Sequence, residues 1–103
     1  MQTPTNFSIQ KTKEFEKWFS KLEKKSLRAF VAIDLRIRKL ERGMFGDVKP
    51  IGNGLHELRL SIEKGYRIYF TNDNGKIIIL LVGGDKGSQK ADIKKAFELK
   101  QNL

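Results

Sequence analysis

Apolar residues recur along this chain with two periods, first a helical one and then an alternating one. Phe15, Trp18, Phe19 and Leu22 fall at i, i+3, i+4 and i+7, with mostly Lys and Glu between them. That spacing aligns them on one helix face. Thr12 is placed to cap this helix, and Glu14 and Glu16 stand in its first turn, where the helix dipole favours negative charge. Ser26 offers a second cap. Leu27, Phe30, Val31, Ile33, Ile37 and Leu40 then give a wide helical stripe, and Gly43 ends it. So short a link between two helices predicts an antiparallel α-hairpin. Arg28, Arg36, Arg38, Lys39 and Arg42 fall mostly on its wet side, as a soluble face or as a phosphate-contacting one. Ahead of the hairpin, "FSI" at residues 7–9 alternates after Pro4 and predicts a short edge strand.

The period changes after "GMFGDVKPIGNG", residues 43–54, whose four Gly and one Pro predict an irregular loop. In "HELRLSI" Leu58, Leu60 and Ile62 oppose Glu57, Arg59 and Ser61. "EKG" is a tight turn. In "YRIYFT" Tyr66, Ile68 and Phe70 oppose Arg67, Tyr69 and Thr71. "NDNG" is a turn signal with Gly75 suited to positive φ. "KIIILLVGG" is apolar at nearly every position, as in a central strand covered on both faces. Ser88 is placed to cap a last helix, whose apolar face of Ile93, Ala96 and Phe97 is narrow. The order is β-α-α-β-β-β-α, one α+β domain over residues 1–103. The α-hairpin packs on one face of an antiparallel sheet. The opposite, polar face is expected to lie open, at most partly covered by the last helix.

Charge gives that face a purpose. Lys and Arg number 21 against 12 Asp and Glu, a formal net charge of +9. Such an excess implies an anionic partner, with nucleic acid the first candidate and an acidic protein or an anionic membrane surface the others. The chain has no Cys and one His, which excludes a disulfide framework, thiolate chemistry and a His/Cys zinc site. The longest apolar run, residues 77–82, is too short to span a bilayer, and no apolar signal core opens the sequence. A cytoplasmic protein is the simplest expectation.

If the hairpin closes around residues 63–65, Arg59 and Arg67 become neighbours on adjacent strands, within reach of one anion. Like charges so placed repel unless something negative stands between them, either Glu57 or a phosphate. Three readings fit. Glu57 pairs with an arginine and Tyr69 packs across the sheet; or the arginines clamp a phosphate while Tyr69 stacks a base; or the same groups cleave RNA. In the last reading Glu57 is the base for a 2′-hydroxyl and Arg59 and Arg67 stabilise charge. Tyr69, Lys49 or Lys86 then orients substrate or supplies a proton. His56 alternates with Glu57 and is expected to point to the core side.

"FGDVKPIGNGLHELRL", "GYRIYF" and "LLVGGDKGSQKADIKKA" together resemble the RelE/ParE superfamily of toxin–antitoxin toxins, in its HigB-like addiction module killer branch. The resemblance runs over residues 15–97, with the blocks in matching order and spacing. It implies a basic sheet face as the active surface. It also implies a ribosome-dependent mRNA endonuclease that cleaves by metal-independent 2′-OH attack and needs no cofactor. Further implied are a cognate helix-turn-helix antitoxin, a ribosome and mRNA as targets, operator DNA met only through the antitoxin, and no membrane partner. Arg59 and Arg67 match the superfamily's basic sheet positions, and Glu57 matches an acid/base position of some relatives. Tyr69 completes the expected catalytic set. Lys49, Lys86, Lys90 and Lys94 are the expected substrate-binding cations, and no metal ligands are expected. Many relatives carry a Tyr or His after the last strand; this chain has "GGDKGSQ" there, with Asp85 and Lys86 as the local substitutes. Two other function classes fit the same superfamily: a ParE-like inhibitor of DNA gyrase, and a non-catalytic basic module that binds RNA or an acidic partner.

Overall fold

The computed structural model describes residues 6–103. Pro4, invoked for the edge strand, lies outside them. The elements run β1 (Ser8–Lys11), α1 (Lys13–Lys25), α2 (Leu27–Glu41), β2 (Val48–Gly52), β3 (Leu55–Leu60), β4 (Tyr66–Asp73), β5 (Ile77–Gly84) and α3 (Gln89–Gln101). A single 3₁₀ turn, Lys86–Ser88, precedes α3. The five strands form one sheet in the order β1-β5-β4-β3-β2, and the fold is α+β as the periodicity predicts.

Thr12 and Ser26 act as read: the Phe15 N–H donates to Thr12 Oγ1 and the Ala29 N–H to Ser26 Oγ. Thr12 also donates its hydroxyl to the Leu81 carbonyl at 2.7 Å. One residue thus caps α1 and pins it to β5. Helices α1 and α2 cover one sheet face. Phe15, Phe19, Leu22, Ile33, Ile37 and Leu40 meet Leu58, Leu60, Ile68, Phe70, Ile78 and Leu80 there. Each such burial removes a large apolar side chain from water, a gain of about 1.5–3 kcal/mol apiece.

The structure corrects six expectations, the last of them the openness of one sheet face. The Gly-rich stretch is not all loop, because Val48–Gly52 forms β2 on the sheet edge. An edge strand tolerates Pro50, and a bulge between Pro50 and Gly52 absorbs the irregularity. The sheet is mixed, since β1 pairs parallel to β5 while β2 to β5 pair antiparallel. The stripe on α2 is narrower than its apolar residues suggest: Ala29, Ile33, Ile37 and Leu40 are buried, but Leu27 and Val31 face solvent. Arg36 leaves the wet side; it donates to the Arg59 carbonyl at 2.9 Å and to the Phe45 carbonyl at 3.2 Å. Ser88 makes no capping bond to α3; it forms a reciprocal capping box with Asp85 around the 3₁₀ turn.

The face expected to lie open is covered by α3. Ala96, with Ile93, Phe97 and Leu99 beside it, packs on Leu55, Tyr69, Ile79, Leu81 and Val82. Strand β5 is therefore sandwiched, as its unbroken apolar run predicts. Its last two residues explain how two helices approach so closely. A Cβ on Gly83 would overlap the Trp18 indole of α1, and one on Gly84 would overlap the Asp92 carboxylate of α3. Gly83→Ala must therefore push Trp18 off the sheet. It is expected to lower unfolding free energy by about 1–3 kcal/mol, measured by urea titration, as overpacking of a filled core does.

Candidate functional site

The site grows from the β3–β4 hairpin. Its register pairs Arg59 with Arg67, the neighbours expected of a hairpin closing around residues 63–65, and also pairs Glu57 with Tyr69. The turn places Glu63 at φ 46° and Gly65 at φ 72°, and the Gly65 N–H closes it on the Ile62 carbonyl at 2.8 Å. A pocket of about 490 Å³ opens between this turn, the start of β2 and the 3₁₀ turn. Its charged lining is Arg59, Lys64, Arg67 and Lys86 against Asp47 and Glu63, four cations to two carboxylates.

The two arginines are only partly paired. Arg59 Nη2 donates to Asp47 Oδ1 at 3.1 Å, and Arg67 Nη1 donates to the Gly65 carbonyl at 2.6 Å. The Nε atoms of both are buried without a hydrogen-bond partner. A buried unpartnered donor is costly, and opposed like charges on neighbouring strands repel. An anion with several oxygens bound between the two guanidiniums would offset that repulsion.

Behind Arg67 lies a buried polar cluster. Glu57 is 1 % exposed and Tyr69 0 %. Glu57 Oε2 accepts from Tyr69 Oη at 3.0 Å and from Gln89 Nε2 of α3 at 2.8 Å, and Arg67 Nε lies 3.8 Å from the same oxygen. Burial, reinforced by the Glu57 carboxylate, pushes the Tyr69 hydroxyl well above the ordinary phenol range, so it stays a donor. Asp92, which approaches Gly84, is raised by burial and by Asp85, against a lowering hydrogen bond from Ser88.

The expected site residues thus separate. Arg59, Arg67 and Lys86 meet at the pocket. Glu57 and Tyr69 adjoin it but are sealed beneath α3 and line no part of it. Lys49 sits across from Glu57 on β2, exposed and outside the pocket lining. Lys90 and Lys94 are exposed on α3, also outside it. His56 stacks on Phe70 with ring centroids 5.3 Å apart, on the core side as expected. Asp47, Glu63, Lys64 and Gln89 were not anticipated. Asp47 stood in the "GDVK" block and Glu63 and Lys64 in the "EKG" turn, so their neighbourhood was legible; the reach of Gln89 across from α3 was not. Among the described residues no three His, Asp or Glu side chains gather as metal ligands, and no helix is long and apolar enough to cross a membrane.

Residues 13–101 match the family described as "Phage derived protein Gp49-like (DUF891)", and the chain belongs to that family. An uncharacterized protein of Haemophilus influenzae is 48% identical over 95 residues, covering 92% of this chain and 94% of its own. The Gp49-like family is associated with the toxins of toxin–antitoxin systems, and the five-stranded α+β fold is compatible with a RelE-like one.

The geometry separates structural from pocket roles. Glu57→Ala leaves the Tyr69 hydroxyl and the Gln89 amide without their acceptor in a buried place, and Arg67 without its ion-pair partner. It is expected to cost about 3–5 kcal/mol of stability. Arg59→Ala removes a half-exposed ion pair and is expected to cost no more than about 1 kcal/mol. Chemical denaturation of both variants measures the difference.

Proposed function

We propose that this chain is the toxin of a type II toxin–antitoxin system and that its pocket holds an RNA phosphate for cleavage. The observation that carries the reading is the opposed Arg59–Arg67 pair. Its two buried Nε donors are unpartnered at a pocket where cations outnumber carboxylates. Two guanidiniums present forked donors suited to the oxygens of one phosphate, and Lys86 and Lys64 add charge at the rim. Lys49, Lys90 and Lys94 extend the positive surface along which the RNA backbone lies. Family membership supports the toxin class and, with it, an antitoxin partner.

In the proposed reaction the 2′-oxygen attacks the adjacent phosphorus and gives its proton to a carboxylate. The bond from phosphorus to the 5′-oxygen breaks, and that oxygen takes up a proton from solvent water. A 2′,3′-cyclic phosphate and a 5′-hydroxyl result. Arg59, Arg67 and Lys86 stabilise the extra negative charge on the phosphorane. Asp47 and Glu63 are the carboxylates that reach the pocket. Glu57 and Tyr69 act from behind: Glu57 holds Arg67 toward the pocket, with Tyr69 and Gln89 fixing the carboxylate. The ribosome positions the message, as in the ribosome-dependent nucleases this chain resembles.

The burial of Glu57 and Tyr69 favours a second reading, in which the pocket binds phosphate without cutting it. A ParE-like action on DNA gyrase, or a non-catalytic RNA-binding module, belongs to that reading. Induced expression with mapping of message 5′ ends decides. Cleavage predicts growth arrest with new ends inside translated frames. Arg59→Ala, which leaves the buried Glu57 network untouched, is expected to reduce cleavage about 10²-fold or more with the fold intact by circular dichroism. Arrest with DNA breaks and intact messages establishes the gyrase reading instead, and harmless expression establishes the module.

A further inference from the structure

The large exposed apolar side chains are not scattered. Among the described residues, all of them apart from Leu103 lie on α2 or just after it: Leu27 63%, Val31 47%, Leu35 54%, Met44 56% and Phe45 37%. Leu27, Val31 and Leu35 stand at i, i+4 and i+8, on the side of α2 turned away from its buried residues Ala29, Ile33, Ile37 and Leu40. A sustained apolar stripe on a helix already packed by its other face marks a contact surface, unlike single exposed residues. At the C-terminal end of the stripe, Leu35 and Met44 line a shallow apolar cavity of about 250 Å³ rimmed by Arg38, Lys39 and Arg42.

The charges around the stripe indicate what covers it. Arg38 pairs with Asp34 at 3.0 Å, and Glu41 also lies at this end of α2. Among the described residues Arg28, Lys39 and Arg42 have no ion-pair partner. A second copy of the chain would bring these cations against their own copies. An acidic segment brings carboxylates to them. We propose that the exposed face of α2, with the Leu35–Met44 cavity, docks an acidic amphipathic helix of a partner polypeptide. Apolar residues on the partner helix cover Val31 and Leu35 and enter the cavity, while its flanking carboxylates meet Lys39 and Arg42. The surface is separate from the phosphate pocket: α2 packs on one sheet face, while Arg59 and Arg67 belong to the other. The proposal is independent of what the pocket does to RNA.

The probe is a fluorescein-labelled helical peptide of about 18 residues, with Leu on one face at i, i+4 and i+7 spacing and Glu flanking it. Its control carries Lys in place of Glu. Fluorescence anisotropy is expected to show binding of the acidic peptide only, weakening as salt rises. Leu35→Glu and Arg42→Glu, at exposed positions that leave the circular dichroism spectrum unchanged, are each expected to weaken it at least about tenfold, roughly 1.4 kcal/mol. No binding of the acidic peptide, or equal binding of both peptides, overturns the proposal. So does a loss on Arg59→Ala as large as that on Leu35→Glu, which would put the peptide in the pocket. A dimer in sedimentation that Leu35→Glu dissociates also overturns it, by making a second copy the occupant.

Discussion

A carboxylate sealed from water needs its own solvation, and Glu57 is such a carboxylate. Its position on β3 faces the side that α3 covers, and three side chains from two elements, β4 and α3, converge there on one oxygen. Tyr69 reaches it along the sheet, Gln89 across from α3, and Arg67 from the pocket side. Each tie has a structural consequence. The Gln89 bond helps hold down a helix whose apolar face is too narrow to do so alone, with only Ala96 buried. The Arg67 contact fixes the direction of a guanidinium that otherwise has a single hydrogen bond in the turn. The pocket is therefore organised from behind, and a buried network of this kind holds geometry only while every member is satisfied.

The same network explains what was legible in the sequence. Alternation in "HELRLSI" and "YRIYFT" is a local property; it put Glu57, Arg59, Arg67 and Tyr69 on one face, and the assumed turn at residues 63–65 made Arg59 and Arg67 neighbours. Alternation says which face a residue occupies; it is silent on what covers that face. The cover is α3, and its few apolar residues concealed how well it packs. A polar cluster contributes no hydrophobic period, so Gln89 gave no signal and the buried state of Glu57 and Tyr69 was invisible. The error in the Gly-rich stretch has a different origin. Gly and Pro argue against regular structure because of entropy and the missing donor, but both arguments weaken on a sheet edge, where one side of the strand has no partner. Leu27 and Val31 were misplaced because an apolar residue was taken to be a buried one, and that inference runs only one way.

The glycine pair that closes β5 belongs to the same design. Gly83 admits the Trp18 indole from α1, and Gly84 admits the Asp92 carboxylate from α3. Register places Gly84 directly opposite Arg67. The strand residue beside the key guanidinium is therefore one with no side chain to crowd it. Immediately after the pair, the Asp85–Ser88 capping box turns the chain so that Lys86 reaches the pocket rim. Tight packing and pocket access at this point both follow from the one "GGDKGS" stretch.

Arg36 joins the two faces of the molecule. Its guanidinium holds the Arg59 carbonyl on β3 and the Phe45 carbonyl in the loop beside the apolar end of α2. Burial lowers its affinity for the proton and the nearby Asp47 carboxylate raises it again, while Asp47 also accepts from the Arg59 side chain. Arg59 is thus held at its backbone by Arg36 and at its guanidinium by Asp47, and its backbone N–H donates to the Asp47 carbonyl at 3.0 Å. A load on the 44–45 loop therefore reaches the pocket through two hydrogen bonds and one helix-borne side chain. A partner docked on α2 as proposed would act on a phosphate at Arg59 through the stiffness of that path, not by direct overlap.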